Sequence, residues 1–204
     1  MKPKDDDIAK AEEELIKLDP ILGKVIELQR PIVYAAREDY FFSLCRSIIG
    51  QQVSVAAASA ILKRFEEVTQ LMPENVATLA PEQIKTIGLS RQKASYLYDL
   101  AEHFVEDPKI YNHLNKLDDD KVIEELTAIK GIGVWSAQMF LMFTLVRLDV
   151  FAADDVGLKR AIKEIYKYQE TPNKEELEKI ALKWKPYRTV ASWHLWQSLR
   201  NTPK

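Results

Sequence analysis

Asp154 and Asp155 stand where an apolar run, Val150-Phe151-Ala152-Ala153, gives way to Val156-Gly157-Leu158-Lys159-Arg160, a pattern that reads as the start of a helix. One aspartate suffices to cap such a start, because a single side-chain oxygen can take the orphan amides of the first turn. The neighbouring carboxylate is then available for chemistry: facing a water-poor cleft, it can stabilise positive charge developing on a sugar. Upstream, Leu126-Thr127-Ala128-Ile129-Lys130-Gly131-Ile132-Gly133-Val134-Trp135-Ser136-Ala137 sets a Gly-x-Gly turn between two helical patterns. Leu126 and Ile129 continue an apolar stripe begun at Val122 and Ile123, and Ala137, Phe140, Leu141 and Leu145 carry the next one. Gly131 and Gly133 permit positive φ and close backbone approach. The amides opening the second helix can then point at a phosphate oxygen with the helix dipole behind them. Any helical hairpin can use glycines to turn, and a double-acid helix start is ordinary, so on these residues alone both plain readings stay open.

The elements that must position such groups are helical. Six glycines, and prolines that fall mainly between periodic segments, point to helices joined by short connections, with no convincing alternating strand. The periodicity predicts helices over about 7–18, 21–29, 40–48, 54–68, 81–87, 90–106, 119–128, 134–148, 155–166, 174–184 and 187–199. Asp19-Pro20 and Arg30-Pro31 break the early helices, Ser90 reads as an N-cap, and Pro172-Asn173 opens the penultimate helix. The expected fold class is all-α.

At 204 residues the chain can bury a substantial core as one domain or two small lobes. With 47% hydrophobic and 29% charged residues it has the composition of an ordinary soluble protein. The apolar stretch from Trp135 to Val146 is interrupted by Ser136, Gln138 and Thr144 and is too short to span a bilayer. The charged start, Met1 to Lys10, does not resemble a secretory signal. The expected setting is intracellular, cytoplasm or nucleoid in a prokaryote and nucleus in a eukaryote, with no membrane partner. The single cysteine, Cys45, excludes an intrachain disulfide and a four-cysteine cluster. His103, His113 and His194 lack a metal-binding spacing with acidic partners and are assigned to surface or core.

A formal charge of −2 and a pI near 6.0 are not those of a strongly basic nucleic-acid binder. The signs, however, are segregated. Acidic residues crowd positions 5–19, 118–120 and 175–178, whereas Lys130, Arg147, Lys159, Arg160 and Lys163 flank the candidate site. A local positive face on a mildly acidic body predicts moderate, salt-sensitive phosphate binding.

Four motifs in order carry a resemblance: Ile48-Ile49-Gly50-Gln51-Gln52-Val53-Ser54, the Gly-Ile-Gly-Val-Trp-Ser-Ala hairpin, Ala153-Asp154-Asp155, and Trp184-Lys185-Pro186-Tyr187-Arg188 through Trp193-His194-Leu195-Trp196. From about Tyr40 to Trp196 the chain resembles the helix-hairpin-helix DNA glycosylases, and within them the 3-methyladenine DNA glycosylase II branch in its compact form, without the N-terminal β-containing domain of larger members. The resemblance implies one helix-hairpin-helix unit over 1–204 made of two helical lobes with the active-site cleft between them. A central lobe would span about 38–150, including the hairpin at 122–147, and a second about 1–37 plus 151–204.

Residue by residue, the resemblance makes Asp155 the essential carboxylate and leaves Asp154 as the helix cap. Gln52 would enter the duplex where a nucleotide is extruded, with Gln51 supporting the loop. Trp135 and Trp196 would line the base pocket, where aromatic faces suit a base carrying positive charge; Met139 stands where some relatives have a pocket tyrosine. Strand-cutting members carry a lysine at the position of Trp135 that forms a Schiff base with the sugar, which tryptophan cannot do. A monofunctional enzyme leaving an abasic site is therefore expected. Gly131, Gly133, Val134 and Lys130 would hold the DNA backbone, as would the second turn at Gly88, Ser90, Arg91 and Lys93. No cofactor is required. The carbonyls of Thr127, Ile129 and Ile132 would suit a structural Na⁺ or K⁺, as in the family's hairpins. The expected partner is double-stranded DNA containing alkylated purines of the 3-methyladenine and 7-methylguanine type, bound by a monomer. The alternatives are a non-catalytic helix-hairpin-helix DNA-binding protein, in which Asp155 is only a cap, and a glycosylase for another damaged base.

Overall fold

The computed structural model describes residues 5–29 and 39–200, and for Asp5, Val55 and Arg200 the backbone only. Among the described residues there are twelve α-helices, two short 3-10 helices and no strand, in line with the expected all-α class. The Arg30-Pro31 break and the first lobe boundary lie outside the described residues. The chain divides into two compact units, Arg37–Phe140 and Met1–Ala36 with Leu141–Lys204.

The unit within Arg37–Phe140 holds α3 (Tyr40–Gly50), α4 (Val55–Thr69), α5 (Pro73–Ala77), α6 (Pro81–Ile87), α7 (Arg91–Glu106), a 3-10 helix (Asn112–Lys116), α8 (Asp119–Thr127) and the start of α9 (Val134–Phe143). Their starts are local decisions. Asp39, Ser54, Ser90 and Asp118 each accept an amide from the third residue onward, and Pro73 and Pro81 occupy first-turn positions where no amide is missed. Phe41, Leu44, Ile48, Phe65, Leu97, Leu100 and Leu126 form its buried core. The short helices Pro73–Ala77 and Asn112–Lys116 are absent from the sequence expectation because one or two turns carry too little periodicity to be read.

In the other unit lie α1 (Asp5–Leu18), α2 (Pro20–Gln29), α10 (Val156–Ile165), α11 (Lys174–Ala181), a 3-10 helix (Leu182–Trp184) and α12 (Arg188–Arg200). The Asp19-Pro20 break is confirmed. Asp19, 4% exposed, accepts the amides of Ile21 and Leu22 at 3.1 and 3.2 Å, the Tyr166 hydroxyl at 2.6 Å and the Trp184 indole N–H at 3.1 Å. Burial alone would raise its pKa, but these donors together hold it below the ordinary carboxylate value.

α9 stops at Phe143, short of the expected 148. The Arg147 amide bonds back to the Leu141 carbonyl at 2.9 Å, with Val146 at φ 56°. The chain then runs onto the start of α12. Arg188 grips Asp149 through Nε at 2.6 Å and Nη2 at 3.0 Å, while Thr189 Oγ1 donates to the Arg147 carbonyl at 2.7 Å and accepts the Val150 amide at 3.0 Å. Periodicity misses this stop because Leu145, Val146 and Leu148 prolong the apolar pattern although the chain has left the helix.

Candidate active site

The loop stapled to α12 by Arg188 and Thr189 delivers Asp155 to the start of α10. The cap of that helix is Asp155 itself: its Oδ1 accepts the Leu158 amide at 2.7 Å. This corrects the assignment of the cap to Asp154, which is exposed and pairs instead with Lys174 at 3.1 Å and Lys159 at 3.5 Å. The reason is register. Asp155 is the last residue with extended dihedrals (φ −66°, ψ 123°), so its side chain, one residue closer to the helix, faces the third amide. Lys174, then Lys159, hold the Asp154 carboxyl below its ordinary pKa.

The same Oδ1 of half-buried Asp155 accepts the indole N–H of Trp196 at 2.8 Å. Trp196 packs against Phe143, ring centroids 5.9 Å apart and tilted by 37°. A carboxylate oxygen holding two strong donors is fixed in direction, which suits a group that must face a reacting carbon. Gly157 lies directly against this pair, where an added Cβ would come 3.1 Å from Asp155 Oδ1. Gly157 and Phe143 were not singled out by sequence reasoning. For Gly157 a signal existed, since a glycine in the first turn of a helix gives up helix propensity and marks a close approach.

In the Arg37–Phe140 unit, the hairpin turn between α8 and α9 is closed by the Ile132 amide on the Ile129 carbonyl at 3.0 Å. Gly131 has φ 84°, and an added Cβ would overlap one edge of the Tyr96 ring. Gly133 differs from expectation. It does not take a positive φ, and a Cβ there meets no described atom within 4 Å. Its bare backbone is therefore presented to the exterior rather than required by the turn. Val134 and Trp135, 54% and 41% exposed, follow it, and Trp135 and half-buried Met139 share a face of α9 at i, i+4 spacing.

The glutamine loop is tied to this turn. Gln51 Nε2 donates to the Gly131 carbonyl at 2.7 Å, while exposed Gln52 stands in the left-handed region at φ 54°. Lys93 Nζ donates to the carbonyls of Ile49 and Gln51 at 2.8 and 2.7 Å. The ammonium, expected at a phosphate, braces the end of α3 with two of its three donors, and partial burial lowers its pKa. Of the second turn, Gly88 is a left-handed C-cap at φ 86°, Ser90 caps α7 through the Lys93 amide at 3.2 Å, and Arg91 is exposed. Arg91 and Lys130 line one groove together with Lys85 and the carboxylates Glu82, Asp99 and Glu102. Among the described residues, no group of three His, Cys, Asp or Glu side chains could hold a metal ion, and no helix is long and apolar enough to cross a membrane.

Residues 45–187 match the family model described as HhH-GPD superfamily base excision DNA repair protein. The alkylbase DNA glycosidase-like protein mag2 of Schizosaccharomyces pombe is 30% identical over 204 residues, covering 95% of each chain. The structure of the 3-methyladenine DNA glycosylase Mag1 of S. pombe in complex with abasic DNA aligns with a TM-score of 0.86 and 29% identity, covering 96% of this chain and 100% of that one. A DNA-3-methyladenine glycosidase from Bacillus halodurans is 36% identical with a TM-score of 0.77, covering 94% and 89%. Matched by that family model from the core of α3 to the start of α12, this chain belongs to the HhH-GPD superfamily of base excision DNA repair proteins.

Proposed function

We propose that this protein is a monofunctional DNA glycosylase that hydrolyses the bond between deoxyribose and alkylated purines of the 3-methyladenine and 7-methylguanine type in duplex DNA. The observation that carries the reading is the Asp155 carboxylate, held by both the Leu158 amide and the Trp196 indole. A helix cap alone accounts for the first bond but not for the second, and this weighs against a binding protein in which Asp155 is only a cap.

Alkylation at N3 or N7 places positive charge on the purine, so the base leaves as a neutral molecule once its bond to C1′ breaks. The electron pair of that bond departs with the base. Asp155 offsets the positive charge growing on the sugar and takes the proton of the water that adds to C1′, leaving an abasic site. Gly133, Val134 and Lys130 contact backbone phosphates, and Gln52 fills the stack where the lesion has swung out. Trp135 and Trp196 each offer an aromatic face that suits a cationic base, and Met139 shares the helix face of Trp135. Trp135 supplies no amine for a Schiff base, which supports hydrolysis without strand cleavage. By donor chemistry the carbonyls of Thr127, Ile129 and Ile132 fit a monovalent cation, since Ile129 keeps a second lone pair beyond its bond to Ile132. Such an ion would lend positive charge to the turn.

The test is release of free base from methylated duplex DNA by wild type and Asp155→Asn, with chromatographic identification of the product. Asparagine still caps a helix, so the variant should fold and bind DNA while base release falls by about 100-fold or more. Undiminished release by Asp155→Asn would remove Asp155 from the chemistry. Borohydride trapping of wild type on DNA would contradict the monofunctional reading.

A further inference from the structure

We propose that Gly157 and Trp196 act together as positioning residues for Asp155, the bare Cα of Gly157 making the room in which the indole N–H reaches Oδ1. The proposal rests on the role of Asp155 proposed above and adds to it how the carboxylate is kept in orientation.

Three distances carry it. A Cβ built on Gly157 would stand 3.1 Å from Asp155 Oδ1, 3.1 Å from Trp196 Cδ1 and 3.2 Å from Trp196 Nε1. Two of these atoms are the acceptor and donor of one hydrogen bond, 2.8 Å long, and the third is the ring carbon next to the donor. Gly157 does not take a left-handed φ, so its backbone is open to other residues, and in the first turn of α10 a glycine sacrifices helix propensity. What it supplies is space.

Neither partner yields easily. Oδ1 is held from the helix side by the Leu158 amide at 2.7 Å, and the indole is backed by the Phe143 ring. An added methyl group would therefore push the indole and the carboxylate apart or turn the carboxylate by a small amount, lengthening their bond. Both donors converge on Oδ1, so losing the indole N–H removes one of the two bonds that set its direction and leaves the Leu158 amide. Small misplacements of a reacting group are expensive in rate. Trp196 thus has a task besides offering a face to the base, and the two are separable: phenylalanine keeps an aromatic face and lacks the N–H.

The experiment compares wild type, Gly157→Ala, Trp196→Phe, the double variant and Asp155→Asn for base release from methylated duplex DNA, binding of abasic duplex and thermal unfolding. Each single variant should lower kcat by about 10- to 100-fold, with KM and abasic-DNA affinity nearly unchanged. The double variant should be little worse than the poorer single one, because both act through the same bond. Gly157→Ala gains helix propensity and weakens the indole–carboxylate bond, two effects of similar size, so it should melt close to the wild-type temperature; loss of rate with near-wild-type melting separates positioning from damage. Wild-type kcat in Gly157→Ala, multiplicative effects in the double variant, or a rise in KM alone for Trp196→Phe would each overturn the proposal. If wild type releases no base, or Asp155→Asn matches it, the proposed function fails and takes this inference with it. If those two controls behave and Gly157→Ala is fully active, this inference alone fails.

Discussion

Gln51 donates its side-chain amide to the carbonyl of Gly131, 80 residues away, at 2.7 Å. The bond ties the loop that carries Gln52 to the turn of the hairpin. Lys93, bonded to the carbonyl of the same Gln51, braces the loop from α7. The proposed entry of Gln52 into the base stack would gain from such a rigid base, because ordering a loose loop upon binding subtracts from affinity.

Replacing Gln51 with leucine should therefore leave the Gly131 carbonyl without its donor and lower stability by about 1 kcal/mol. Binding to a duplex with an abasic site should weaken more than binding to intact duplex, since only the former needs the gap filled. Fluorescence anisotropy on both duplexes measures the difference; equal weakening would show that the bond serves the hairpin alone.

The two hairpin glycines should separate stability from binding. Gly131→Ala combines a left-handed φ with overlap on Tyr96, and should destabilise by about 2 kcal/mol or more. Gly133→Ala should change stability by less than about 1 kcal/mol, because no described atom stands near the new Cβ. It should nonetheless weaken DNA binding by about tenfold by keeping a phosphate from the backbone. Denaturant melts and DNA titrations decide; unchanged affinity in Gly133→Ala would free that backbone of a role in binding.

Asp154, displaced from the capping role, pairs only with Lys159 and Lys174 at the surface among its described contacts. Asp154→Asn should keep near-wild-type thermal stability and near-wild-type base release. It should also free both lysines, tightening DNA binding most at low salt, where exposed charges are least screened. A loss of activity matching that of Asp155→Asn would move the chemistry to Asp154.

Asp19 should shape acid stability. Its folded pKa is depressed below 3.8, so its contribution is present in full above the unfolded value and is lost as pH falls through the folded one. Asp19→Asn should flatten the stability curve below about pH 4. At neutral pH it should cost about 1–3 kcal/mol, because Tyr166 and Trp184 keep a weaker acceptor. Chemical denaturation at pH 3 and pH 7 gives both numbers, and an acid limb as steep as wild type would assign it to other carboxylates.

Much of this protein was legible in its residues alone. Helices follow from apolar spacing and from caps such as Ser90 and Asn173, which act within three residues and so leave a local trace. The Gly131 turn was legible in its residues, whereas Gln52, Trp135, Asp155 and Trp196 stood out together only through the resemblance carried by four motifs in order. Tertiary structure decided what depends on register and reach. Which of two adjacent aspartates caps α10 turns on one residue's dihedrals. That Lys93 turns inward to α3, and that Trp196 closes on Asp155 over a bare Gly157, depends on contacts 41 to 44 residues apart. Periodicity reports which face of a helix is buried, but it cannot say which atom of another helix waits there.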